Sequence, residues 1–263
     1  MSTLLAGAVG TLVFCAPGYP GTAGDAQPLL DQFASAAVAA SGWPAGSLAA
    51  VYDPTEEGGL AKLKAADAVL AFVPYPFFVE HAAQLHLTPL VQADVADVGP
   101  QQRWTLVAKS GRVTGPPSMS GYTVLSVAGY APEFVRHSAL ESWTLPPDVK
   151  IEATGQILSV LRRVAAGEPV AALLDQTQAA ALASLPFAAE LKAVTQSAEL
   201  PVAVIAVVDS RVPAARARAL QTALLKMGHG GASADSLGPL RLQGFVPPKL
   251  PSLPKLPSRT MAP

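Results

Sequence analysis

Cysteine is nearly absent: Cys15 is the single one among 263 residues, which excludes an internal disulfide and any cysteine-rich metal centre. Charge is equally sparse. Asp, Glu, Lys and Arg make up 14% of the chain and almost cancel, to a formal −1, so there is no positive field to grip a nucleic-acid backbone. Aromatic residues reach only 6%, and Trp43, Trp104 and Trp143 read as packing anchors rather than a platform for stacking bases. No apolar run attains the roughly 18 uninterrupted residues of a membrane span, so no membrane insertion of the mature chain is expected. The motifs G-x-S-x-G, H-E-x-x-H and the phosphate-loop lysine are all missing. His81 and His86 do not fall on one helix face as paired zinc ligands would, His137 reads as exposed, and His229 sits in a glycine-rich loop. Neither a catalytic residue, a metal nor a cofactor is therefore expected.

What the chain has is apolar residues, which make up half of it, enough for one large or two medium cores. They come in short continuous runs separated by helical patterns. Strands buried on both faces of a parallel sheet read this way, so the chain is α/β. The strands expected are Thr11–Ala16, Ser47–Asp53, Ala68–Pro74, Leu87–Ala93, Arg103–Lys109, Tyr122–Ser126, Val149–Ala153, Val170–Leu174 and Pro201–Val208. Helices are expected over Asp25–Ala40, Glu57–Ala66, Tyr75–Leu85, Glu133–Leu140, Gly155–Ala166 (closed by a left-handed Gly167), Gln176–Leu185, Phe187–Leu191 and Pro213–Met227. From Val246 onward prolines dominate, and Lys249-Leu250-Pro251 is echoed by Lys255-Leu256-Pro257. An extended polyproline-type tail is expected there.

Two places read as strand, glycine turn and helix in succession. One is Thr11–Ala16 followed by Pro17–Gly24. The other is the apolar run ending at Leu125, followed by Ser126-Val127-Ala128-Gly129-Tyr130-Ala131-Pro132. Such a turn leaves backbone N–H groups facing open space, where the positive end of a helix holds an anion without any basic side chain. One such mouth in each half of the chain suggests a cleft.

The order of these motifs resembles the phosphate/phosphonate-type (PhnD-like) periplasmic solute-binding proteins of ABC transporters. The segments that carry the resemblance are Ala16–Gly21, Ala71–Phe78, Trp104–Lys109, Ser126–Pro132, Leu173–Asp175 and Gln196–Pro201. The resemblance implies a two-lobed type II periplasmic-binding-protein fold, each lobe a mainly parallel sheet flanked by helices, with two hinge crossings near Gln101–Thr105 and Thr195–Pro201. The implied division is a signal remnant or disordered start over residues 1–10, lobe 1 over 11–102, lobe 2 over 103–200, the return of lobe 1 over 201–245, and a flexible tail over 246–263. It further implies an extracytoplasmic monomer that captures a small ligand between its lobes, and an ABC permease as partner. The phosphonate-binding members carry a Ser-Thr-Ser-Gly turn. Here Val127 and Ala128 stand between Ser126 and Gly129, so two hydroxyl donors are replaced by apolar side chains.

The candidate ligand-binding residues are Tyr19, Thr22, Tyr75, Ser126, Gly129, Tyr130 and Asp175. Each has a structural alternative. Thr22 or Asp25 caps the first helix, and Asp175 suits an N-cap as well as it suits a ligand acceptor. Tyr75, held between Pro74 and Pro76, projects from the sheet edge or packs. Tyr19, Tyr75, Phe77 and Tyr130 would line an aromatic pocket for a less charged ligand, although Phe77 and Phe78 also fit a helix core. The rival functions are a sensing or degenerate binding module, and a transferase using Cys15, whose apolar setting argues against a reactive thiolate.

Overall fold

A computed structural model describes residues 9–19, 21–228 and 236–252. The chain divides into two compact units, residues 1–102 with 201–249, and 103–200 with 250–263. The first unit opens with β1 (Gly10–Cys15), α1 (Ala23–Ser41), β2 (Leu48–Asp53), α2 (Glu56–Lys64) and β3 (Ala68–Pro74). It continues with α3 (Tyr75–His81), β4 (Thr88–Val95) and β5 (Gln101–Gln102). The second unit holds β6 (Thr105–Lys109), β7 (Thr123–Ser126), α4 (Pro132–Phe134), β8 (Lys150–Ala153), α5 (Ile157–Ala166), β9 (Val170–Leu174), α6 (Gln176–Ala180) and β10 (Leu191–Gln196). The chain then runs through β11 (Leu200–Pro201), β12 (Ala203–Val207), α7 (Ala214–Leu224) and β13 (Leu242–Val246).

The six-stranded sheet of the first unit has the order β13-β4-β12-β3-β1-β2. β1 is parallel to both β2 and β3, whereas β12 runs against β3 and β4, and β13 against β4. The five-stranded sheet of the second unit has the order β10-β6-β9-β7-β8, with β7 parallel to β8 and β9, and β6 against β9 and β10. Four strands in each sheet thus share one direction. β5 and β11 pair with each other as a separate ribbon.

Periodicity explains the helices that cover these sheets. α1 buries Leu30, Phe33, Ala34, Ala37 and Val38, one face at the spacing of a 3.6-residue turn. Phe33 meets Phe14 edge to face at 5.7 Å and lies 5.9 Å from Phe245, so one ring ties the helix to strands from both ends of the first unit's sequence. Burying such a side chain contributes about 2 kcal/mol. In the second unit Val160, Leu161 and Val164 of α5 pack on Val107, Leu125, Ala172 and Leu174. Gly167 closes α5 with φ of 87°, a conformation that costs a side-chain-bearing residue energy.

Several sequence expectations are corrected. Leu191–Gln196, adjoining a segment read as helix, is an edge strand, and the preceding helix shrinks to one 3₁₀ turn over Ala188–Glu190. Leu242–Val246 is a sixth strand, so Val246 belongs to the sheet and not to the tail. The run Pro201–Val208 is split, with β11 ending at Pro201 and β12 starting at Ala203. The helix read over Glu133–Leu140 is one α-turn that widens into a π-helix over Val135–Ala139. Gly10, set within the expected signal remnant or disordered start, begins β1; residues 1–8 of that span, His229 with its loop, and the tail from Leu253 lie outside the described residues.

Candidate functional site

In each unit the candidate residues lie at the ends of strands that share one direction, the edge where sheets of this kind bind ligands. In the first unit, β1 ends at Cys15 and the chain turns through Ala16–Tyr19 toward α1. Thr22 is the N-cap of α1: its hydroxyl accepts from the Asp25 N–H at 3.2 Å and donates to the Asp25 carboxylate at 2.6 Å. Tyr19 remains exposed. Tyr75 begins α3 directly after β3. Of the two alternatives, its ring packs rather than projects from the sheet edge: it is 1% exposed and stacks on Phe78. Burial pushes its hydroxyl up to about 12. Phe77 turns to His81, ring to ring at 4.6 Å, so it belongs to the core.

Cys15 is sealed at the same edge. Its thiol faces the Thr55 carbonyl at 3.4 Å, and a Cβ on Gly59 would stand 2.0 Å from its sulfur. α2 presses on β1 this closely only because Gly59 has no side chain. Burial, with Asp53 and Glu56 nearby, pushes the thiol up to about 12, which keeps it a thiol at neutral pH. Asp53 accepts from the Thr55 N–H at 2.9 Å and hydroxyl at 2.7 Å, and pairs with Lys62. Burial works against its charge, but these partners hold its carboxyl below the usual range. The arrangement fastens α2 to the sheet and leaves no nucleophile.

In the second unit Ser126 ends β7 and is fully buried. Its Oγ accepts from the Ala128 N–H at 3.1 Å, and its carbonyl accepts from Gly129 N at 3.1 Å and Thr154 N at 2.9 Å. Ala131 N donates to the Ala128 carbonyl at 2.9 Å. The N–H groups of Ala128, Gly129 and Ala131 are therefore spent inside the turn, where open N–H groups were expected. Gly129 is needed for close approach: a Cβ there would sit 2.1 Å from the Glu152 carbonyl oxygen. Tyr130 is half-buried beyond it. Asp175 follows β9 and caps α6 in a reciprocal capping box, its Oδ1 accepting from Gln178 N at 2.8 Å while Gln178 Oε1 accepts from Asp175 N at 3.2 Å. Burial raises its carboxyl above the ordinary range against the opposing N–H bonds of Gln178 and Thr177.

The turn of the second unit thus gathers Ser126, Gly129 and Tyr130, with Asp175 two strand positions further along on the neighbouring β9. Lys109 and Lys150 sit at the opposite strand ends, and Arg103, which precedes β6 at this edge, is engaged by the Ser197 carbonyl at 3.1 Å and by Glu199. Among the described residues no group of three metal-ligating side chains occurs, and no helix is long and apolar enough to cross a membrane.

Residues 92–252, more than half the chain, match the family described as the periplasmic substrate-binding protein of phosphonate ABC transporters. The chain belongs to that family. It is therefore a substrate-binding protein and not an enzyme, one that captures a small ligand outside the cytoplasm for an ABC permease. Solved structures share its fold at low identity. XAC2383 from Xanthomonas citri bound to ATP superposes with a TM-score of 0.66 at 14% identity over 91% of both chains. PhnD1 from Prochlorococcus marinus in complex with methylphosphonate gives 0.56 at 12% identity, over 91% of this chain and 93% of that one. The binding-protein component of an ABC phosphonate transporter from Pseudomonas aeruginosa, PA3383, gives 0.54 at 14% over 91% and 82%. No curated protein sequence matches the chain.

Proposed function

We propose that this substrate-binding protein takes a small oxyanion of the phosphonate class and holds it with neutral donors rather than with cations. The carrying observation is Ser126. Its oxygen is fixed as acceptor of the Ala128 N–H, which leaves the hydroxyl proton to donate at the strand edge where the family's turn lies. A hydrogen bond to a charged acceptor is worth about 1.5–3 kcal/mol, so a few such donors suffice for micromolar binding.

On this reading Ser126, Tyr130 and Asp175 contact the ligand in the second unit; in the first, Tyr19 is the exposed candidate, while Thr22 is spent as the cap of α1 and Tyr75 is buried against Phe78. Gly129 acts by bringing the turn onto β8, and Asp175 favours a ligand that keeps a proton to donate. The division into lobes with boundaries at 102/103 and 200/201 is supported by the two compact units. The protein acts as a monomer, which size-exclusion chromatography would check.

The experiment is a thermal-shift panel of phosphate, phosphonates and small organic ligands. A ligand present at a hundred times its Kd stabilises the folded state by about 2.7 kcal/mol, enough to read as a shift of several degrees. Combining Ser126→Ala with Tyr130→Ala is expected to abolish the shift, read against the variant's own unliganded melting temperature, which falls because the buried Ala128 N–H loses its acceptor. A panel that moves nothing would overturn the reading in favour of a degenerate module.

A further inference from the structure

The row of residues just past the edge of the second sheet contains a donor that nothing in its surroundings uses. Gln196 pairs with Thr105, Thr105 with Leu174, and Ala172 with Leu125. Carried one position past the strands, that register sets Ser197 beside Trp104 and Trp104 beside Asp175. Side chains alternate along strands, so this row shares a face with Leu106, Leu173 and Ser126, opposite to the face that Val107, Ala172 and Leu174 present to α5.

Trp104 is 0% exposed, and among the described residues its Nε1 has no hydrogen-bond partner. The other two indoles are satisfied, Trp43 by the Arg216 carbonyl at 3.3 Å and Trp143 by the Met119 sulfur at 3.4 Å. Nor is Trp104 loosely placed. Its backbone N–H donates to Ser197 Oγ at 2.9 Å, its carbonyl accepts from Ser197 N at 2.8 Å, and its ring meets Phe134 edge to face at 5.3 Å. Phe134 comes from α4, directly after the Ser126 turn, so the same short helix that follows the turn also fixes the indole. A buried donor left unpaired is costly and rare in folded proteins. At a binding edge, an acceptor that arrives with the ligand removes that cost.

We propose that Trp104 is a ligand-binding residue whose indole N–H donates to an oxygen of the bound oxyanion, replacing hydroxyl donors that Val127 and Ala128 cannot supply. The inference rests on the oxyanion reading above. It makes the recognition set of this unit one indole N–H and the hydroxyls of Ser126 and Tyr130 as donors with one carboxyl as acceptor. That set suits a monoanion carrying a single proton better than a fully ionised dianion.

The test uses Trp104→Phe, which keeps an aromatic ring and deletes the N–H. Wild type, Trp104→Phe and Ser126→Ala are titrated calorimetrically with methylphosphonate and with inorganic phosphate, and the three indole N–H resonances of the ¹⁵N-labelled wild type are followed in parallel. Trp104→Phe is expected to weaken binding about 10- to 100-fold. The Trp104 indole resonance is expected to move downfield on saturation, while those of Trp43 and Trp143 stay in place. Should the variant not fold, the wild-type resonance carries the test alone. Affinity within twofold of wild type for Trp104→Phe, with Ser126→Ala weakened, overturns the role of Trp104. Failure of the wild type to bind either anion overturns the oxyanion reading, and this inference with it.

Discussion

Replacing Gly129 by alanine separates a packing requirement from a ligand contact. The glycine is not needed for its backbone angles, because it is not among the glycines with positive φ. It is needed because a Cβ would stand 2.1 Å from the Glu152 oxygen, 2.3 Å from its carbonyl carbon and 2.5 Å from Ala153 N. All three are backbone atoms of β8, so no side chain can swing aside. Relief requires the turn and β8 to part by more than 1 Å, given a normal contact of about 3.5 Å. That movement strains the Thr154 N to Ser126 carbonyl bond at 2.9 Å and the Gly129 N bond to the same carbonyl at 3.1 Å. Overpacking of this kind costs about 1–3 kcal/mol, and two weakened hydrogen bonds add about 1 kcal/mol each. Gly129→Ala should then lose about 3 kcal/mol, or about 6–12 °C in melting temperature for a chain of this size. Gly238→Ala serves as control, since its Cβ would meet nothing within 4 Å. Differential scanning fluorimetry of both variants decides the matter. A Gly129→Ala protein that melts within a degree of the control would refute the reasoning.

The thiol of Cys15, pushed up to about 12, should resist iodoacetamide at pH 8 in the native state and label only as urea unfolds the protein, as mass spectrometry would show. Because the folded-state value lies above the unfolded one, the stabilisation is complete below the unfolded pKa and is lost as pH rises toward 12. The unfolding free energy should therefore fall by up to about 1.4 kcal/mol per pH unit above pH 9; Cys15→Ala should flatten that slope, and an unchanged slope would refute the assignment. Asp175→Ala removes the cap of α6 and should cost about 1 kcal/mol in urea denaturation. Asp175→Asn keeps the cap, removes a buried charge and should match wild-type stability at neutral pH while weakening the ligand; equal losses for both variants would speak against the capping box.

The sequence shows its strands best where burial is complete on both faces. β3 and β9 are continuous apolar runs, and Val170–Leu174 is buried at every position, which is what its composition states. β10 was hidden because Leu-Lys-Ala-Val-Thr-Gln is a half-exposed edge strand, whose polar alternation is too weak to read without its partner β6. The π-turn at Val135–Ala139 reads as ordinary helix because the buried Ala131, Val135 and Ala139 recur every four residues, and hydrophobic pattern alone does not distinguish a one-residue widening. At the site, the glycine turn was legible but the fate of its N–H groups was not. Whether Ala128 N meets a ligand or the Ser126 hydroxyl depends on a side-chain rotamer. Trp104 is the packing anchor that a tryptophan opening an apolar run suggests, but its unpaired Nε1 is not legible in the sequence, and only the register of β10, β6 and β9 brings its neighbours Ser197 and Asp175 into view.

That register repeats a plan present in both units. Taking β7, β8 and β9 as counterparts of β1, β2 and β3, the order β10-β6-β9-β7-β8 reproduces β4-β12-β3-β1-β2. In each sheet the strand that runs against its neighbours, β12 or β6, is the first regular strand after the chain enters that unit for the core of its sheet. The equivalence aligns the end of β1 with the end of β7, and the end of β3 with the end of β9. Cys15 then corresponds to Ser126, and Tyr75 to Asp175. Where one unit closes its first strand with a thiol sealed under Gly59, the other closes it with a hydroxyl oriented by Ala128. Where one follows its third strand with a stacked phenol, the other follows it with a capping carboxylate. The polar half of each corresponding pair lies in the second unit, together with the unpaired indole of Trp104. On the proposed reading, the second unit therefore recognises the oxyanion head of the ligand.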